Sequence, residues 1–222
     1  ENYAMWVTGI DGLKVINEKY GIEKGDDILR MLAAFRFEQE GFIYAGRIEG
    51  DKFAALVKES FIPFIFEITK TPNMGIDFSL ASVVVKHGLY RIRPNSSLRP
   101  QGMYDRALLA MQKIKNKYGV YLLEYDDELR KELLTTKLLE EESQTALLEH
   151  QFVLYYQPKF DIQKGQTEGA EALVRWIHPE LGFMNPGQFI SQFEQNGFIR
   201  ELDFYVWEEA CKTLLEWKDK GV

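Results

Sequence analysis

The sequence has one cysteine, Cys211, so no disulfide can close within the chain. That scarcity fits a reducing cytoplasm. Histidine is nearly as rare, and three scattered imidazoles beside one thiol give none of the ligand spacings of a zinc site. Long apolar runs are missing too: none reaches the roughly 18 residues that cross a bilayer, so no membrane segment is expected. The opening, ENYAMWVTGID, lacks the basic start and apolar stretch of a signal peptide. Nor is there an excess of basic charge, since the formal net charge is −7. Residues 1–126 carry 17 Lys and Arg against 16 Asp and Glu, whereas residues 127–222 carry 10 against 18. A chain without basic stripes is no general partner of polymeric nucleic acid. The change in balance also suggests a boundary near residue 126.

What is present reads as mixed α/β structure. YAMWVTGI has the pattern of a buried strand, and Leu13, Ile16 and Tyr20 then follow at helical spacing up to Gly21. A second helix is predicted after Gly25, with Ile28, Met31, Leu32 and Phe35 on its apolar face. FIYAG and FAALV flank RIEGDK as the two arms of a β-hairpin turning at Gly50, with Asp51 and Lys52 at the tip. GIDFSLASVVV reads as a further strand, Tyr104, Ala107, Leu108 and Met111 as a late helix, and VYLLEY as a closing strand. Residues 127–150 hold no Gly or Pro and are rich in Leu and Glu, which predicts a long connecting helix. FVLYYQPKFDI and EGAEALVRW form a second hairpin around QKGQ. In NPGQFISQFEQNG, Asn185 is the expected N-cap, Pro186 the first helical residue and Gly197 the stop. The last helix is expected to bury Leu202, Val206, Ala210, Leu214 and Trp217, with Cys211 at a buried apolar position. The fold class implied is an α/β sandwich on a central sheet, then a linking helix and a second unit.

Two constellations carry chemistry. Read from Ile10, IDGLKVINEKYGIEKGDDIL with the hairpin EGDKF resembles the GGDEF family of bacterial diguanylate cyclases, over roughly residues 3–126. The resemblance implies two GTP-loaded domains meeting to make cyclic di-GMP, hence a homodimer. It also implies metal ions held by two carboxylates. Those positions are Gly9 and Asp51 here, so one ligand is missing. Glu49 stands where the hairpin motif has glycine, and Lys52 where it has an acid. Gln112 stands where the family often has lysine. These departures predict no cyclase activity. Asn17 and Asp26 match the positions that read the guanine edge of GTP. The alternative for Asp26 is a plain helix cap. EGFI at 40–43 lacks the Arg-x-x-Asp of the family's product-inhibition site.

YYQPKFDIQKGQTEGAEALVRWIHPELGFMNPGQFI resembles the start of the EAL family of cyclic di-GMP phosphodiesterases, whose fold is a TIM-like barrel. The pairing implies a degenerate GGDEF domain at 1–126, a linking helix at 127–150, and the N-terminal portion of an EAL domain at 151–222. Strand alternation sets Glu171, Leu173 and Arg175 on one face, with the outer two Cα atoms about 13 Å apart. The family uses this Glu as a catalytic Mg²⁺ or Mn²⁺ ligand, and this Arg and Gln157 around cyclic di-GMP. The plainer reading of Arg175 is a salt bridge to Glu171. Trp176 and His178 read as structural. The family barrel needs roughly 240 residues, so these residues by themselves are expected to be inactive. Two readings stay open for the parent protein: a phosphodiesterase regulated by its first domain, or a non-catalytic receptor.

Overall fold

The structure, a computed structural model, describes residues 2–37, 41–78 and 83–221. It divides into two compact units, Glu1–Arg130 and Lys131–Val222. In the first, β1 (Tyr3–Asp11) leads into α1 (Leu13–Tyr20) and α2 (Ile22–Phe37). The hairpin β2 (Phe42–Glu49) and β3 (Lys52–Lys58) follows, then α3 (Ile62–Ile68), β4 (Val84–Arg91), α4 (Pro100–Lys113) and β5 (Leu122–Glu124). The sheet order is β2-β3-β1-β4-β5, with only the β4–β5 pair parallel. This is the expected mixed α/β unit around a central sheet.

β1 is central because both of its faces are apolar. Ala4, Trp6 and Ile10 join one core with Ile28, Leu32, Ile65 and Leu89. Val7 joins the opposite core with Ala107 and Met111 of α4. Fully burying one large aliphatic side chain contributes about 1.5–3 kcal/mol, so a strand covered on both sides anchors the unit. α4 lies very close to β4 at Gly88, where an added Cβ would come within 1.8 Å of the Ala107 carbonyl oxygen.

Two sequence expectations about the first unit need correction. The second helix begins at Ile22, not after Gly25, so Asp26 sits inside α2 and cannot cap it. Gly21, at φ +87°, ends α1 and lets the next helix restart at once. The strand expected over GIDFSLASVVV begins only at Val84 and runs on through Lys86 and His87. Residues 79–82 of that stretch, like Glu40 of EGFI, lie outside the described residues. The strand continues through buried polar residues because they are hydrogen-bonded. Lys86 Nζ donates to the carbonyls of Lys117 and Val120, both at 2.6 Å, and His87 Nδ1 meets Thr8 Oγ1 at 3.1 Å.

The helix α5 (Asp127–Leu148) contains the division between the units. In the second unit β6 (Phe152–Asp161), β7 (Gln166–His178) and β8 (Gly182–Met184) form an antiparallel sheet in sequence order, followed by α6 (Ile190–Asn196) and α7 (Ile199–Lys220). One sheet face supplies Phe152, Trp176 and Met184 to a core with Phe189, Phe193, Phe198 and Leu202. Asn185 precedes a 3-10 turn at Pro186–Gln188 and its N–H donates to Gln188 Oε1 at 2.8 Å, while Gly197 ends α6 in the left-handed region.

On α7 only Leu202 of the expected five is fully buried; Leu214 is 59% exposed, and Cys211 is exposed as well. The reason is geometric. At 3.6 residues per turn a fourfold spacing drifts about 40° each step, so Leu214 has rotated far from Leu202. No helix among the described residues is long and apolar enough to cross a membrane.

Candidate functional site

Asn17 and Asp26 come from the two helices that meet across Gly21. The Asn17 carboxamide lies flat on Gly25, where an added Cβ would stand 1.8 Å from Oδ1. Any other residue at 25 would therefore displace Asn17. The Oδ1 atom is buried without a hydrogen-bond partner, an arrangement native interiors seldom leave unanswered. Asp26, half-buried, lines a hollow of about 410 Å³ with Arg30, Arg47 and Phe53. Asn17 does not line that hollow, although its amide is seated one residue away. The two residues are neighbours, but only Asp26 opens onto the hollow.

A separate cleft of about 450 Å³ lies at the end of β1, lined by Gly9, Asp11 and Asp51 together with Lys14, Lys52, Lys86 and Lys115. Asp51 Oδ2 is 3.4 Å from where a Cβ on Gly9 would stand. A carboxylate at residue 9 would thus meet Asp51, and the glycine leaves Asp51 alone. Gly9 pairs directly with Lys86 across the β1–β4 ladder. On the other side Thr8 pairs with Phe53, which brings Lys52 next in line beside Gly9. Lys52 Nζ donates to Glu49 Oε1 at 2.7 Å. That bond raises the Lys52 pKa and lowers that of Glu49. Burial pushes the Lys86 ammonium down, opposed by the nearby Asp11 charge. Residue patterning does not single out these lysines as a group, although a charged residue inside the strand VVVKHGLY is a visible signal for Lys86.

The metal pair implied for this cleft does not fit the residues present. One carboxylate is absent, and ammonium groups occupy the flanks. Of the two positions the resemblance implies, only residue 51 carries a carboxylate.

In the second unit, Gln157 and Glu171 are directly opposed on β6 and β7, as are Val153 and Arg175. All four point away from the core containing Phe152 and Trp176, so Gln157, Glu171 and Arg175 share one open face. Directly opposed side chains have Cβ atoms about 4.5–5.5 Å apart, close enough for one ligand to touch Gln157 and Glu171 together. Glu171 Oε2 lies 3.6 Å from Lys159 Nζ, an exposed and loose ion pair. The alternative for Arg175, a bridge to Glu171, is not the contact either residue makes. Arg175 Nη1 donates to the Val174 carbonyl at 2.8 Å, and its guanidinium sits 6.0 Å from the Tyr155 ring centre.

His178 and Trp176 serve the framework. His178 Nδ1 accepts the N–H groups of Glu180 and Leu181, at 3.1 and 3.2 Å, which leaves the proton on Nε2, 3.0 Å from Glu142 Oε2. Trp176 Nε1 donates to Gln151 Oε1 at 2.9 Å. Among the described residues no group of three or more His, Cys, Asp or Glu side chains is arranged to hold a metal ion.

Comparison with known proteins agrees with the second constellation. Residues 140–222 match the family model described as the EAL domain. The chain is 29% identical to the signaling protein YkoW of Bacillus subtilis, covering 99% of this chain and 28% of that protein. It is 26% identical to the bifunctional diguanylate cyclase/cyclic di-GMP phosphodiesterase MucR of Pseudomonas aeruginosa, over 99% of this chain and 33% of the relative. With the cyclic di-GMP phosphodiesterase NbdA of the same organism it shares 28% identity, over 95% of this chain and 28% of the relative. The chain spans about a third or less of the length of these relatives.

Proposed function

We propose that this chain is part of a cyclic di-GMP signalling protein whose EAL domain hydrolyses the cyclic dinucleotide, with a degenerate GGDEF domain at 1–126 as its regulatory module. Residues 127–150 are the linking helix and 151–222 the opening of the EAL domain. One observation carries the reading: within the EAL match, Glu171, Gln157 and Arg175 lie on one open face of β6 and β7. Glu171 would hold a divalent ion, Mg²⁺ or Mn²⁺. A bound divalent ion supplies an acidified water able to act as nucleophile at neutral pH. Gln157 orients the substrate from the strand opposite. Arg175 swings from the Val174 carbonyl to a phosphate oxygen, the stronger partner for a guanidinium.

The first unit, in this reading, makes no cyclic di-GMP, and GTP binds it through Asn17 and Asp26. Asp26 supports that reading, since its carboxylate opens onto the hollow and can accept the N–H groups of a guanine edge. Turnover of cyclic di-GMP by the full-length protein with Mg²⁺ or Mn²⁺ is the test. Wild type is expected to release the linear dinucleotide, and Glu171→Gln to lose that activity while keeping its circular dichroism spectrum. A wild type that binds cyclic di-GMP without cleaving it would make the protein a receptor.

A further inference from the structure

The open face of the second sheet carries two aromatic rings besides its polar groups. Tyr155 of β6 stands directly opposite Leu173, which makes Glu171 and Arg175 its two diagonal neighbours on β7. Phe183 of β8 stands opposite Ile177, so Arg175 is its diagonal neighbour from the other side. Both rings lie on the face turned away from Phe152, Trp176 and Met184. Each is 52% exposed. The rings lean over β7 and meet edge to face, with centroids 6.0 Å apart and planes at 87°. The Arg175 guanidinium rests 6.0 Å from the Tyr155 ring centre.

A single half-exposed ring on a protein surface needs no explanation. Two rings in contact, on either side of a guanidinium and next to a carboxylate and an amide, are a different case. In a nucleotide the base is one sugar away from its phosphate. A phosphate held by Arg175 therefore brings its base within reach of the rings beside that arginine. The edge-to-face contact steadies both rings and leaves at least one face of each uncovered by the other.

We propose that Tyr155 and Phe183 are a stacking platform for one purine base of cyclic di-GMP, placed so that Arg175 takes the phosphate attached to that base. This rests on the reading of the second unit as the opening of an EAL domain that takes cyclic di-GMP. When the guanidinium turns to the phosphate it leaves the Tyr155 ring, and the base takes its place. The platform supplies affinity for a flat base and no proton to the chemical step, so its loss weakens binding and spares turnover. Stacking accepts either purine, which leaves the choice of guanine to hydrogen-bonding groups.

Steady-state hydrolysis of cyclic di-GMP by the full-length protein tests it, with Tyr155→Leu, Phe183→Leu and Tyr155→Phe beside wild type. Leucine keeps an apolar side chain on the face and removes the ring, so a role in packing survives and stacking does not. Tyr155→Leu and Phe183→Leu are expected to raise KM by about five- to a hundredfold, the range for one base–aromatic stack, with kcat within about twofold. Tyr155→Phe is expected to keep the wild-type KM. A loss in Tyr155→Phe equal to that in Tyr155→Leu would assign the effect to the hydroxyl and overturn the platform. Circular dichroism checks the fold, and if one leucine variant unfolds, the variant on the other strand decides. Wild-type KM in the leucine variants, or a fall in kcat alone, overturns the platform and leaves the phosphodiesterase reading standing. A wild type that binds without cleaving overturns the phosphodiesterase reading instead. The leucine variants are then read by calorimetry, where a weakened Kd keeps the platform and an unchanged one removes it. Absence of any binding overturns both.

Discussion

At the scale of single residues, the open face of the second hairpin separates two roles by chemistry. Glu171 is a carboxylate with only a loose lysine partner, and Arg175 is a guanidinium resting on a backbone carbonyl and a ring face. Arg175→Ala in the full-length protein is expected to weaken cyclic di-GMP binding by about ten- to a hundredfold, the range for losing one charged hydrogen bond. Steady-state kinetics would register this mainly in KM, whereas a variant that lowers kcat alone would assign Arg175 to the chemical step. Asp161 offers a pH test. The amides of Lys164 and Gln163 donate to its carboxylate, which holds its pKa below the usual aspartate value. The charged form is favoured by folding, so this contribution is full above about pH 4 and fades as pH falls through the lowered value. An NMR titration should find Asp161 protonating after most other carboxylates.

At the scale of elements, the contact of α4 with β4 is the least forgiving in the first unit. Gly88→Ala would drive a methyl into the Ala107 carbonyl, and a backbone group in mid-helix cannot step aside as a side chain can. A loss of about 3 kcal/mol or more is expected, at the upper end of overpacking effects, read as a fall in the denaturant midpoint. Lys86→Met tests the strand differently. It keeps the apolar stem but leaves the Lys117 and Val120 carbonyls without a donor, a loss of about 1–3 kcal/mol. If Lys86→Met proves as stable as wild type, the ammonium does not secure the segment after α4.

At the scale of the whole molecule, the chain has two compact units, and the family match to the EAL domain covers residues 140–222. The first unit with GTP and Mg²⁺ or Mn²⁺ is expected to yield no cyclic di-GMP above a protein-free control, by chromatography. Gly9 removes one ligand from beside Asp51, and Gly9→Asp alone should not restore synthesis, because Lys52 and Lys86 still flank that position. Product from the wild type would mean that another protomer completes the site.

The sequence by itself determined the parts whose physics is local. Strand alternation put Glu171 and Arg175 on one face, Gly50 and Gly197 closed a hairpin and a helix, and the Gly- and Pro-free stretch made the long helix. It also showed that residue 9 has no carboxylate to offer. Only the tertiary structure decided what depends on distant partners. Lys86 and His87 look like the end of a strand until carbonyls 31 and 34 residues away and Thr8 receive them. Asp26 looks like a cap until α2 starts a turn earlier, and Arg175 looks bound to Glu171 until Lys159 arrives from the facing strand. The lysine cleft was equally hidden, because its four cations lie far apart along the chain and meet only when the sheet and helices bring them to one end.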